Sequence, residues 1–136
     1  MRHNTLRDEC FFRCLAAGIE AEREVSKLLP GDPHRRPADV FLPMCPGMGA
    51  LALDFAVTCP LQQSTVRDAA DRLLAAAMDC EAHKLSDRQT SQRCAYLGFK
   101  LVPMVAETLG GGAQWRKRSS ALSPRLAPSP AGLTTA

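Results

Sequence analysis

The segment ALALDFAVT, residues 50–58, limits the fold more than any other part of this chain. Its side chains alternate with period two, the mark of a β-strand. Leu51, Leu53, Phe55 and Val57 share one face, and Ala50, Ala52, Asp54, Ala56 and Thr58 share the other. The leucine face must lie against a core. The opposite face carries one acid among alanines, which leaves space around the carboxylate. That space suits a metal ion and a phosphate group, or a helix packed close.

Other elements arrange themselves around this strand. Residues 38–43 (ADVFLP) read as a second strand, joined to the first through MCPGMG as a hairpin that Pro60 ends. Upstream, residues 4–17 read as a helix. Thr5 and Asp8 fit a capping box, Leu6, Cys10, Cys14 and Ala17 recur at helical spacing, and Gly18 is a stop. Residues 19–28 read as a charged edge strand, and 29–37 as a turn-rich connection. Downstream, Thr65 and Asp68 fit another capping box. Val66, Ala69, Ala70, Leu73, Leu74, Ala77 and Met78 form one apolar stripe of a helix running to about residue 84. Unbroken to Leu97 that helix would span about 50 Å, so a break is expected at Ser86–Gln89. Gly98 ends the second piece. FKLVPMVAE, 99–107, is a further strand, closed by Gly110, Gly111 and Gly112.

The predicted fold is therefore α/β: a helix, a three-strand meander, a helical crossover and a fourth strand in one small mixed sheet. A chain of 136 residues holds one domain. Its expected extent is 2–112. Residues 113–136 are rich in Ser, Pro and Ala, lack periodicity and read as a disordered basic tail.

Charge is unevenly distributed. Residues 1–112 hold 13 Lys and Arg against 14 Asp and Glu, whereas the tail adds Arg116, Lys117, Arg118 and Arg125 with no acid. The body is thus no basic nucleic-acid binder by composition, and phosphate attraction must come from local patches or the tail. Cys10, Cys14, Cys45, Cys59, Cys80 and Cys94 form no CxxC pair. They read as free thiols, with a zinc site from Cys10, Cys14 and a histidine as a disfavoured alternative. No apolar run reaches the roughly 18 residues of a membrane span, and the N-terminus has no secretory pattern. The expectation is an intracellular protein with no membrane partner.

Chemistry centres on Asp54 and Asp39, which lie on adjacent strands of one hairpin. Two such carboxylates can converge on Mg²⁺, which takes one or two carboxylates plus water and phosphate oxygens. Each also has a plain reading. Asp39 follows a proline and suits turn chemistry, and Asp54 suits a salt bridge to Arg or Lys. No P-loop, GxSxG or dinucleotide fingerprint is present.

Several blocks carry a resemblance: HNTLRD at 3–8, REVSKLLPG at 23–31, RRPADV at 35–40, LDFAVTCPL at 53–61, EAHK at 81–84 and FKLVPMVAETLGG at 99–111. Together, over about residues 2–112, they resemble the endonuclease-like domain of retrotransposon-type reverse transcriptase polyproteins. That domain is similar to the restriction-endonuclease-like, PD-(D/E)xK nucleases. The resemblance implies a sheet of restriction-endonuclease-like type and cleavage of DNA with Mg²⁺ or Mn²⁺, and it points to the nucleus. Asp39 matches the first motif acid, although Pro37-Ala38-Asp39 replaces a strict Pro-Asp pair. Asp54 matches the second. The usual lysine two residues later is replaced by Ala56, and Lys84 on the following helix is the substitute the resemblance suggests. Its plain reading is a solvated helix-end lysine. Glu24 and His3 are possible accessory groups, as an outer metal ligand and a base or phosphate contact. Glu107 suits a salt bridge or turn, and His34, Arg35 and Arg36 form a small basic cluster. The expected function is a divalent-metal-dependent endonuclease. The alternative is an inactive remnant of the fold that binds nucleic acid or protein.

Overall fold

In the computed structural model, which describes residues 3–108, the alternating segment is the strand Gly49–Thr58, β3. It pairs antiparallel with Val40–Cys45, β2, and parallel with Phe99–Glu107, β4. Glu22–Arg23, β1, adds to the outer side of β2, so the sheet order is β1-β2-β3-β4. Helix His3–Ala16, α1, precedes the sheet. Between β3 and β4 lie Val66–Asp71, α2, Ala75–Ser86, α3, and Thr90–Tyr96, α4. The molecule is a mixed α/β fold on a four-stranded mixed sheet, with the meander and helical crossover that the element order predicts.

Local chemistry explains the connections. In the turn from Cys45 to Met48 the Met48 amide donates to the Cys45 carbonyl at 3.0 Å. Pro46 and Gly47, the latter at φ +72°, supply the two central positions of a type II turn. Pro103 sits within β4, which among the described residues bonds only to β3. The Thr108 amide reaches the Thr58 carbonyl at 2.9 Å. Amides in a strand alternate sides, so even-numbered residues face β3 and the Pro103 nitrogen faces outward, where no ladder bond is lost.

Helices lie on both faces of the sheet. Val40, Leu42, Leu51, Leu53 and Phe55 pack against Leu6, Cys10, Phe11 and Cys14 of α1. Burying each leucine there contributes roughly 1.5–3 kcal/mol. This side keeps an apolar cleft of about 340 Å³ between α1 and β4. On the other side Ala52, Ala75, Ala77 and Cys94 are each 0% exposed. Small side chains on both partners bring α3 and α4 close to β3 and β4. The alanine face is thus a second core face.

Several expectations are corrected. The strand expected over 19–28 is only two residues long. Glu24 and Lys27 take left-handed backbone at φ 51° and 65°, which ends the pairing. The helix expected over 64–84 is interrupted at Arg72–Leu74, with Leu74 at φ 65°. Its apolar stripe therefore splits: Leu74 and Ala77 are buried, whereas Val66, Leu73 and Met78 are exposed. Neither capping box forms. Thr5 lies inside α1, and Thr65 makes no side-chain cap bond. The break at Ser86–Gln89 is present as a 3-10 turn, Asp87–Gln89, with Arg88 and Gln89 left-handed. All six cysteines are free thiols, and Cys10 and Cys14 pack against the sheet. The expected tail, 113–136, and the three closing glycines lie outside the described residues.

Candidate functional site

The hairpin register brings the two acids together. Val40 pairs with Leu53, so Asp39, the residue before that pair, lies beside Asp54 and Phe55 at the end of the ladder, and its charge acts on Asp54. Asp39 lies just before β2. Its amide donates to the Leu53 carbonyl at 2.8 Å, and its carbonyl accepts the Glu24 amide at 2.9 Å. Its carboxylate Oδ2 accepts the Phe55 amide of β3 at 2.7 Å and His3 Nε2 at 2.9 Å. A side-chain oxygen thus takes the place of a backbone acceptor where β2 has not yet begun. His3 reaches it from the first turn of α1.

Asp54 is held from the other side. Its Oδ2 meets the Lys84 ammonium, from the last turn of α3, at 2.6 Å. The three central side chains are about three-quarters buried, with 25% exposure for Asp39, 26% for Asp54 and 23% for Lys84. Burial pushes the Asp54 carboxyl above its usual range. The hydrogen bond and charge of Lys84 oppose that shift, and the Asp39 charge adds to it. For His3, burial works against the imidazolium. Hydrogen bonds to Asn4 and Asp39 and the charge of Asp39 outweigh it, and the pKa is raised. Both carboxylates are therefore anchored through Oδ2. Among the described residues neither Oδ1 accepts a hydrogen bond.

Asp54 and Lys84 line an open cleft of about 480 Å³ together with Arg35, Arg36, Cys80 and His83. Asp39 is not part of that lining. Glu24 is joined to Asp39 through the backbone, yet its carboxylate is taken by Arg7 at 2.5 Å, with Arg36 at 3.9 Å. Arg7 also bonds Asp8, which Arg23 reaches in turn. Glu24 thus belongs to a surface ion-pair network. Among the described residues no group of three or more His, Cys, Asp or Glu is placed to share one metal ion. The pair of acids, Lys84 and His3 are brought together, and Glu24 is not.

Glu107 has a structural task. Its Oε1 accepts the Ala77 amide at 3.1 Å, in the first turn of α3. A carboxylate there satisfies an orphan amide and complements the helix dipole. Of the basic cluster, His34 is exposed, and Arg35 is tied to Asp87 and Thr90. The Phe55 amide, Cys80 and His83 were not singled out from sequence. A backbone donor leaves no trace there, and His83 had only its place beside Lys84 to mark it.

No helix among the described residues is long and apolar enough to cross a membrane. The chain matches no protein-family model, no curated protein and no solved structure.

Proposed function

We propose that this chain is a divalent-metal-dependent, endonuclease-like domain of restriction-endonuclease-like type, of the kind found in retrotransposon polyproteins, hydrolysing DNA phosphodiesters. The observation that carries this reading is the 2.6 Å contact between Lys84 and Asp54, with the Asp39 carboxylate close enough for its charge to act on Asp54. A lysine supplied from the following helix takes the role that Ala56 cannot. The order of helix, meander, crossover and fourth strand supports the same reading.

The residues present fit Mg²⁺ or Mn²⁺. Such ions are held by one or two carboxylates, with water and phosphate oxygens completing the shell, and Asp39 and Asp54 supply two carboxylates. Asp39 and Asp54 would hold the ion, which when bound supplies an activated water and neutralises charge on the phosphodiester. His3 and the Phe55 amide fix the orientation of Asp39. Lys84 carries three protons and directs one at Asp54. The others serve an attacking water or the oxygens of the pentavalent phosphorus centre, where charge develops.

A second reading, an inactive remnant that binds nucleic acid or protein, is favoured by Ala56 and by the lack of a three-ligand group among the described residues. Plasmid nicking decides between them. The first reading expects nicking with Mg²⁺ or Mn²⁺ that chelation stops. Asp54→Ala abolishes it, and Lys84→Ala slows it on the order of 10²–10³-fold. Equal activity in all three proteins sinks the mechanism. Absence of nicking by wild type supports the remnant.

A further inference from the structure

Two adjacent arginines enter the Asp54 cleft and do different things. Arg35 is 19% exposed in its side chain, and Nη2 donates to Asp87 Oδ2 at 2.6 Å and Thr90 Oγ1 at 2.7 Å. Thr90 is buried, and Asp87 opens the 3-10 turn with its two left-handed residues. Arg35 therefore clamps the loop before Asp39 onto the kink between α3 and α4. Arg36 is 58% exposed and reaches one carboxylate among the described residues, Glu24 at the far limit of 3.9 Å. Arg36 precedes Pro37, and a residue before proline is driven to extended backbone.

The surroundings of Arg36 suit an anion. The cleft is lined by Arg35, Arg36 and Lys84 against Asp54 and Asp87, with His83 beside Lys84. The charge of Arg35 is consumed by Asp87. Lys84 is directed at Asp54. Arg36, three positions before Asp39, is thus the cleft-lining cation whose carboxylate contact among the described residues, 3.9 Å to Glu24, lies beyond hydrogen-bond distance. A guanidinium presents a planar fork that matches phosphate oxygens.

We propose that Arg36 is a phosphate-contacting residue, binding the nucleic-acid backbone beside the phosphodiester held at Asp54 and Lys84, and that Arg35 positions its loop without touching the ligand. This deepens the DNA-binding part of the function proposed above.

The test is binding of a short fluorescent DNA duplex by the full chain in chelator, where no cleavage occurs, as a function of salt. Arg36→Ala is expected to weaken binding about fivefold at low salt, equally for unrelated sequences. It should also reduce the slope of log affinity against log salt by about 0.9, one phosphate contact. The thermal midpoint stays unchanged. The basic residues of 113–136 are present in both proteins, so the difference isolates Arg36. Arg36→Lys restores the slope and part of the affinity, because charge remains and the fork is lost. Arg35→Ala lowers the thermal midpoint instead. Unchanged affinity and slope in Arg36→Ala, or a wild type that does not bind the duplex, overturns the assignment. DNA bound through Arg36 but never nicked with Mg²⁺ defeats the nuclease reading and leaves the assignment standing. Nicking by a wild type whose Arg36→Ala variant binds equally well does the reverse.

Discussion

At the scale of single residues, the site depends on how its two carboxylates are held. His3 bonds Asp39, and in the mechanism proposed above it acts as a positioning group. Partners of this kind typically matter 10–100-fold in metal affinity. His3→Ala is accordingly expected to raise the Mg²⁺ concentration needed for half-maximal nicking by roughly 10–100-fold, with the maximal rate less affected. A metal titration of nicking rates checks this. His3 and Asp54 both make the stability of the metal-free protein fall as pH rises, each in its own window. The raised pKa of His3 means that its bond to Asp39 stabilises the fold fully below the usual histidine value of 6.5. That stabilisation is lost as pH climbs through the raised value. The Asp54 carboxyl is raised mainly by burial, so the folded chain keeps a proton that the unfolded chain has released. Stability therefore falls as pH rises from the usual aspartate value of 3.8 through the higher folded one. Urea midpoints across the acid range should show that downward component in wild type and lack it in Asp54→Asn.

At the scale of elements, the close seat of α3 and α4 on the sheet decides where Lys84 ends up. The seat exists because Ala52 and Ala56 of β3 lie in clusters with Leu74, the residue before α3, Ala77 and Cys80 of α3 and Cys94 of α4. Ala52 has no exposed surface. Ala52→Leu is expected to cost about 1–3 kcal/mol by overpacking and to weaken nicking as well, because α3 carries Lys84. Chemical denaturation alongside the nicking assay checks both effects. At the start of the same helix, Glu107→Ala removes the carboxylate on the Ala77 amide. Losses of this kind are typically about 1 kcal/mol, and the denaturation midpoint should fall with little change in slope.

At the scale of the whole molecule, the sheet separates two tasks. One face, under α1, is apolar and serves the core. The other carries Asp54, and Lys84 is lowered onto it from α3. The six free thiols are spread over both faces. Cys94 is fully buried, and burial beside Cys14 pushes the Cys10 thiol up to about 11. Thiolate is the reactive form. Native-state alkylation near neutral pH is thus expected to spare Cys10 and Cys94 until the chain is unfolded, as mass spectrometry of labelled peptides would report.

Much of this architecture was legible in the amino-acid order. Period-two alternation in ALALDFAVT marks one strand, because a pleated strand sends neighbouring side chains to opposite sides, and FKLVPMVAE reads as another. Pro46 and Gly47 mark the turn, and Ser86–Gln89 the kink. Those are local properties of a few consecutive residues. Only the tertiary structure decided that β1 is two residues long, since pairing there depends on backbone at Glu24 and Lys27 that no side-chain pattern announces. It likewise divided Arg35 from Arg36, which are identical in type and adjacent, by giving Asp87 and Thr90 to one of them. The same holds for the site. Sequence placed Asp39 and Asp54 on one hairpin, and Lys84 was suggested by the family resemblance. The contact between Lys84 and Asp54, 30 positions apart, required the crossover to lay α3 across β3, a long-range packing outcome set by small side chains on two elements at once.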